Sequence, residues 1–291
     1  MKSLKLIWLG ITTATLILLT GCGGLQNDVE QAIGKTKDTF GEAVKDAATW
    51  KEELAHKGVS KELKTEVSAG SAKSVFLDNA VGSIEVKPTT GDQIKVKATI
   101  WSINRPSFKG KQEKVFEQST VRTIVNGDQV KITTSPKDDA QMDLWKWAKK
   151  QWGFSEFSID YQVELPANIT EFHISNDVGD IKLTDLKGAY QVASDVGTVK
   201  ISGAQISGKS SVKASTGSLE LGIAAMSDES SLEAVADVGS IRTTLSKTLA
   251  CTLNTKSELG KITGAEKGKS DVNGGGPLVS LSTSIGSITI D

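Results

Sequence analysis

Apolar and polar residues alternate along most of this chain, and glycine interrupts the alternation at recurring intervals. NDVGDIKL (176–183) is the clearest instance; NAVGSIEV (79–86), SDVGTVKI (194–201), ASTGSLEL (214–221), ADVGSIRT (236–243), SELGKITG (257–264) and TSIGSITI (283–290) are variants of it. They align on Gly82, Gly179, Gly197, Gly217, Gly239, Gly260 and Gly286. Two residues after each glycine stand Ile84, Ile181, Val199, Leu219, Ile241, Ile262 and Ile288. Five before it stand Leu77, Ile174, Val192, Val212, Ala234, Thr255 and Leu281, and seven before it Val75, Phe172, Tyr190, Ser210, Leu232, Leu253 and Val279. Period-2 columns on both sides of a glycine predict a strand, a tight turn and a second strand, each with one face inward. From Gly179 onward the glycines are 18, 20, 22, 21 and 26 residues apart. Units of that length bury a face only by stacking on their neighbours, so an all-β, single-domain β-solenoid of roughly 20-residue coils is expected.

The pattern differs before residue 71. Val29, Ile33, Thr36, Phe40, Ala43, Ala47, Trp50 and Leu54 follow steps of four and three, which predicts a tether helix with a heptad seam. Gly34 and Gly41 inside it each cost about 1 kcal/mol relative to Ala, so the helix needs a partner surface. Gly58 is expected to end it, with Lys61 to Thr65 as a polar connector or short helical turn. Ahead of it, Lys2 and Lys5 precede the apolar run Leu6 to Leu19, which ends in Leu19-Thr20-Gly21-Cys22. A positive start, an apolar core and small residues at the end describe a secretory signal peptide. The Leu-Thr-Gly-Cys ending resembles the bacterial lipobox, which implies cleavage before Cys22 and lipidation of that cysteine. Two or more acyl chains suffice for stable membrane anchoring. The expected organisation is thus a signal peptide (1–21), an anchor with a helical tether (22–70) and a β domain (71–291) with an insertion at 102–156.

The insertion is where the repeat lapses. Gln93 to Trp101 continues as strand, Asn104 to Lys114 reads as a loop, and Val121–Val125 with Gln129–Thr133 flank the hairpin turn Asn126-Gly127-Asp128. Phe157, Ile159, Tyr161, Val163 and Leu165 alternate up to Pro166, which ends that strand. Between them lies an amphipathic helix at 138–154, with Trp145, Trp147 and Trp152 beside Leu144, Ala148 and Phe154, and with Lys146, Lys149 and Lys150 on the other side. It can cap the core with its aromatics. Alternatively, Trp145, Lys146, Trp147, Lys149, Lys150 and Trp152 form a membrane or partner surface.

Composition narrows the function classes. Lys and Arg (34) balance Asp and Glu (35), so no global field points to nucleic acid. Cys251 is the only cysteine besides Cys22, which excludes an internal disulfide in the mature chain, and it sits in an alternating segment as a small hydrophobe. The only histidines, His56 and His173, provide no evident base for a thiol nucleophile, and His173 is expected to point outward. Two positions before the glycines lie Asp177, Asp195, Asp237 and Glu258, interrupted by Ala80, Ser215 and Ser284. Stacked at about 4.8 Å, Asp177 with Asp195 and Asp237 with Glu258 would face each other. Such pairs suit turn chemistry first, and calcium or acid–base work on a polysaccharide second. No cofactor is expected.

The stretch VELPANITEFHISNDVGDIKLTDLKGAYQVASDVGTVKISG, with Val163-Glu164-Leu165-Pro166 closing a strand and Gly179-Asp180-Ile181 making a turn, resembles the bacterial "putative adhesin" domain family. The resemblance covers about 70–291 and implies a right-handed β-solenoid outside the cytoplasm. This chain places Val or Ile before most glycines where the family often has Asn. The expected function is a lipid-anchored, extracytoplasmic, non-catalytic binding or scaffolding module. The alternatives are an envelope-stress accessory that senses membrane perturbation, and a polysaccharide-active enzyme using Asp195. Expected partners are the membrane through Cys22 and a protein or cell-wall component, with self-association through the tether helix or an uncapped last coil.

Overall fold

In a computed structural model of the protein, residues 58–291 are described; the expected signal peptide, Cys22 and the expected tether helix lie outside them. In chain order the elements begin with β1 (Gly58–Ser68), β2 (Ser74–Val81), β3 (Ile84–Pro88) and β4 (Gln93–Ile103). Next come α1 (Lys109–Gln118), β5 (Ser119–Asn126), β6 (Gln129–Pro136), α2 (Leu144–Trp152) and β7 (Phe157–Leu165). Four repeat units follow: β8 (Glu171–Val178) with β9 (Ile181–Thr184), β10 (Lys187–Val196) with β11 (Val199–Ile206), β12 (Lys209–Thr216) with β13 (Leu219–Met226), and β14 (Ser231–Val238) with β15 (Ile241–Leu245). The chain then forms β16 (Cys251–Leu259), β17 (Ile262–Thr263), β18 (Gly268–Val272), β19 (Leu278–Ile285) and β20 (Ile288–Ile290).

The strand before each glycine and the strand after it enter different rows. The first row runs β5-β6-β2-β8-β10-β12-β14-β19-β16-β18. The second runs β1-β4-β7-β3-β9-β11-β13-β15-β20-β17. Lys187 and Gly188 of β10 also pair with Gln205 and Ile206 of β11, which joins the rows into one open, mixed 20-stranded sheet. The inward columns seen in the sequence form the core: Leu77, Val75, Ile181, Leu219 and Ile288 are each no more than 1% exposed. Each such side chain stabilises the fold by roughly 1.5–3 kcal/mol.

Stacking order departs from sequence order at both ends. The first unit, β2–β3, lies between β6–β7 and β8–β9. The last unit, β19–β20, lies between β14–β15 and β16–β17. The expectation that the last coil forms an uncapped end is therefore corrected: on the first row that end is β18, antiparallel to β16. At the opposite end β4 runs antiparallel to β7, β1 pairs with β4, and β5 runs antiparallel to β6.

Two local readings are also corrected. Lys61 to Thr65 is not a connector but part of β1, whose Leu63 and Val67 rest on the core. Its charged outward residues hid that alternation, and they protect the open edge, with Glu66 3.6 Å from Lys95 and Glu62 3.7 Å from Lys97. The loop expected at Asn104–Lys114 contains the start of α1, which has few apolar residues and buries only Gln112 and Val115.

One turn position requires glycine. Gly217 has φ +143°, and a Cβ there would overlap the carbonyl of Gly197; a Cβ on Gly197 would overlap that of Gly179. The same close approach runs from Gly82, over the Ile159 carbonyl, to Gly260 over Gly286. Backbone bonds continue through these turns, as in Gly197 N–H to Thr216 O (3.0 Å) and Gly217 N–H to Val238 O (2.9 Å). Gly217→Ala is expected to cost about 3 kcal/mol or more from strain and backbone displacement. Gly110→Ala, in α1 with open space around it, should gain roughly 0.5–1 kcal/mol. Urea unfolding of both variants checks the contrast.

Candidate functional site

The position three before each glycine points inward beside the turn, and Asn and Thr there, with Ser257, bond across layers, whereas the buried Ser194 hydroxyl has no partner. Asn79 and Asn176 are buried. Asn79 Nδ2 donates to Ile159 O and to Asn176 Oδ1 (both 3.1 Å), and Asn176 Nδ2 donates to Gly82 O at 2.8 Å. Thr283 Oγ1 donates to Gly239 O and Ser257 Oγ to Gly286 O, both at 3.0 Å. Small residues, Ser194, Ala214 and Ala236, occupy the intervening layers. This column serves the turns. Its signal was present in the sequence as polar residues at inward period-2 positions, in phase with Val75 and Leu77.

The acidic row lies on the outer face of the first row of strands. Ser194 pairs with Asn176 and Val196 with Val178, so Asp195 stands beside Asp177. Burial first, then the charges of Asp195, Asp78 and Asp143, push the Asp177 carboxyl above the usual carboxylate range. Asp237 and Glu258 do not face each other, which corrects the sequence reading. β19 separates their strands and puts Ser284 between them, because the final unit is inserted there. Among the described residues no three His, Cys, Asp or Glu side chains gather where a metal ion could be held.

The two outer faces differ in character. On the second row, charges pair across neighbouring strands: Lys87 with Glu164 (3.1 Å), Lys182 with Glu85 (2.8 Å), Lys200 with Glu220 (2.7 Å) and Arg242 with Asp291 (3.1 Å). On the first row, Phe76 and His173 stack with ring centroids 4.3 Å apart, and Ser175 donates to Asp78. Beyond them is a shallow depression of about 260 Å³ bordered by Asp78, His173, Gln191, Ser211 and Lys213. His173 points outward as expected, and Glu171 lies 4.0 Å from it. Phe76, its stacking partner, was not singled out in the sequence.

α2 occupies the corner where β6 passes into β7. Its N-cap, Asp143, accepts the Lys146 N–H, and Gly153 in left-handed geometry ends it. Leu144, Trp147 and Ala148 are buried. Trp145 stacks on Phe157 at 5.1 Å and donates its indole N–H to the Phe157 carbonyl at 3.2 Å. Trp152 meets Trp147 edge-on at 4.5 Å, and the Lys114 ammonium lies 6.0 Å from its ring centroid. The indoles thus face the core while Lys146, Lys149 and Lys150 are exposed. No described helix is long and apolar enough to cross a membrane. Cys251 is a buried free thiol, and burial with the nearby Asp271 charge pushes its pKa up, away from the reactive thiolate.

No family model and no curated protein matches this chain. Solved structures do. A "putative cell adhesion protein" from Clostridium sporogenes ATCC 15579 matches at 14% identity with a TM-score of 0.46, over 80% of this chain and 99% of its own. A "putative adhesin" from Bacteroides fragilis NCTC 9343 matches at 13% identity and 0.38, over 79% of this chain and 97% of its own. One from Parabacteroides merdae ATCC 43184 matches at 8% identity and 0.26, over 79% of this chain and 96% of its own. All three are described as adhesion proteins.

Because the folded state holds Asp177 above its unfolded pKa, folding favours its protonated form. That preference is fully expressed below the unfolded pKa and is lost as pH rises through the folded one. Asp177→Asn should therefore raise the melting temperature at pH 7, and the gain should vanish near pH 3. Melting curves at the two pH values check this.

Proposed function

We propose that this protein is a lipid-anchored, extracytoplasmic binding or scaffolding module without catalytic activity. In this reading the strand stack is a right-handed β-solenoid held to the membrane through Cys22. The observation that carries the reading is the continuity of the first row of strands. Its outer face extends over roughly 45 Å at the usual strand spacing. Its inward columns are committed to the core and its glycines to the turns, so outward residues are free to vary with a ligand. Such a face is rigid before binding, which lowers the ordering cost of recognition.

The leader supports the placement. Lys2 and Lys5, the apolar run and Leu19-Thr20-Gly21-Cys22 fit export, cleavage and acylation. The acidic row offers little to an enzyme reading. Asp195 has Asp177 as its neighbour on one side and Ser215 on the other, and Ser284 lies beyond Asp237, so the row is interrupted.

Expression in a bacterial host with a radiolabelled fatty acid tests the proposal. The expected product is a membrane-associated, acylated chain that begins at Cys22 and is cleaved by protease added to intact cells or spheroplasts. Cys22→Ser should abolish the label and release the protein from the membrane. A protein retained in the cytoplasm, or label unaffected by Cys22→Ser, would overturn it.

A further inference from the structure

The chain enters the domain at β1, the outermost strand of the second row, and α1 and α2 sit at that same end of the stack. There Lys109, Lys111, Lys146, Lys149 and Lys150 are exposed, and none has a carboxylate within 4.0 Å among the described residues. Exposed Glu113, Glu117 and Asp138 share this end, while three other acids are turned to backbone N–H groups. Asp139 accepts from Gln141 and Met142, Asp143 from Lys146, and Glu156 from Ser155. This differs from the outer face of the second row, where four cations each hold a carboxylate. Lys149 and Lys150 occupy the last turn of α2, where the helix dipole favours cations.

The same end carries half-sunk rings, and the Lys114 ammonium lies 6.0 Å from the Trp152 ring centroid. Trp145, Trp152, Phe108 and Phe116 pack on the core while remaining partly open to solvent. Ammonium groups on long stems and partly open aromatic rings at one end match the chemistry of a phospholipid interface, with phosphates for the cations and a head-group layer for the ring edges. The cations are spread over two helices rather than gathered around one pocket, which fits a plane of mobile head groups better than a single acidic peptide.

We propose that the α1–α2 end is a surface for anionic phospholipid that seats the stack on the membrane to which it is tethered. The seating geometry rests on the lipid-anchor reading above. The lipidated protein carrying Lys149→Cys, labelled with an environment-sensitive dye, is reconstituted into vesicles of phosphatidylcholine alone or with phosphatidylglycerol. Cys22 bears the lipid and Cys251 is buried, so the dye reports position 149. Flotation reads the anchor and the dye reads the seating.

The expected result is flotation with both vesicles, and a blue shift with the anionic ones only, reversed by high salt. Adding Lys146→Gln and Lys150→Gln should lower the seated-to-free ratio roughly 25-fold, at about fivefold per cation, with an unchanged melting temperature. A dye at Lys269→Cys on β18 should stay in water throughout. Flotation with an equal dye response in both vesicles overturns the inference and leaves the anchor standing. No flotation with either vesicle removes the anchor reading and this inference with it. An equal shift on adding polyglutamate assigns the surface to acidic polymers in general and overturns it as well.

Discussion

The close approach of one turn to the next sets the architecture. At each glycine column position a carbonyl of the adjacent layer occupies the space a side chain would need, as Gly197 O does against Gly217. Because the turns nest this closely, the strands on both sides can keep their hydrogen-bond register from layer to layer. Register in turn keeps Leu77, Ile174, Val192, Val212 and Ala234 in one buried column. A slip of one residue would reverse every face. The inward Asn and Thr side chains reinforce the same point by bonding the glycine carbonyls of neighbouring layers.

The ends follow other rules. An open parallel stack exposes ladder groups, and here the antiparallel strands β5 and β18 occupy the outer positions of the first row, while α1 links β4 to β5 and α2 fills the corner where β6 would otherwise turn tightly into β7. The aromatic residues of the insertion serve this closure. Phe157 is buried, and Trp145 is fixed to it by stacking and by a hydrogen bond to its carbonyl. Charge is handled in two ways: the second row neutralises itself across strands, whereas the helical end leaves its lysines facing solvent.

Much of the architecture was legible because it depends on local periodicity. Gly179, Ile181 and Ile174 reveal a strand–turn–strand unit within a dozen residues, and Asn126-Gly127 reveals the β5–β6 hairpin. What escaped was non-local. Nothing near Thr283 indicates that its strand inserts between β14 and β16, so Asp237 and Glu258 looked adjacent when Ser284 divides them. β1 escaped because its edge position suits charged outward residues that dilute the alternation of Leu63 and Val67. At the candidate surfaces, the lysines of α2 and the core-capping role of its aromatics, Trp147 among them, were readable, but the pairing of Phe76 with His173 depends on contacts across layers.

The exchanged order of the end layers bears on how the domain carries mechanical load. A repeat array whose last unit is also its outermost layer can unravel one layer at a time when pulled from the end. Here β19–β20 is held on both sides, by β14–β15 and by β16–β17. Drawing out β20 must shear two parallel ladders together. β2–β3 is clasped in the same way between β6–β7 and β8–β9. Tension applied at the C-terminal end of the described chain therefore meets a clamp rather than a zipper, whereas at the other end β1 must first part from β4 before the clasped β2–β3 unit is loaded.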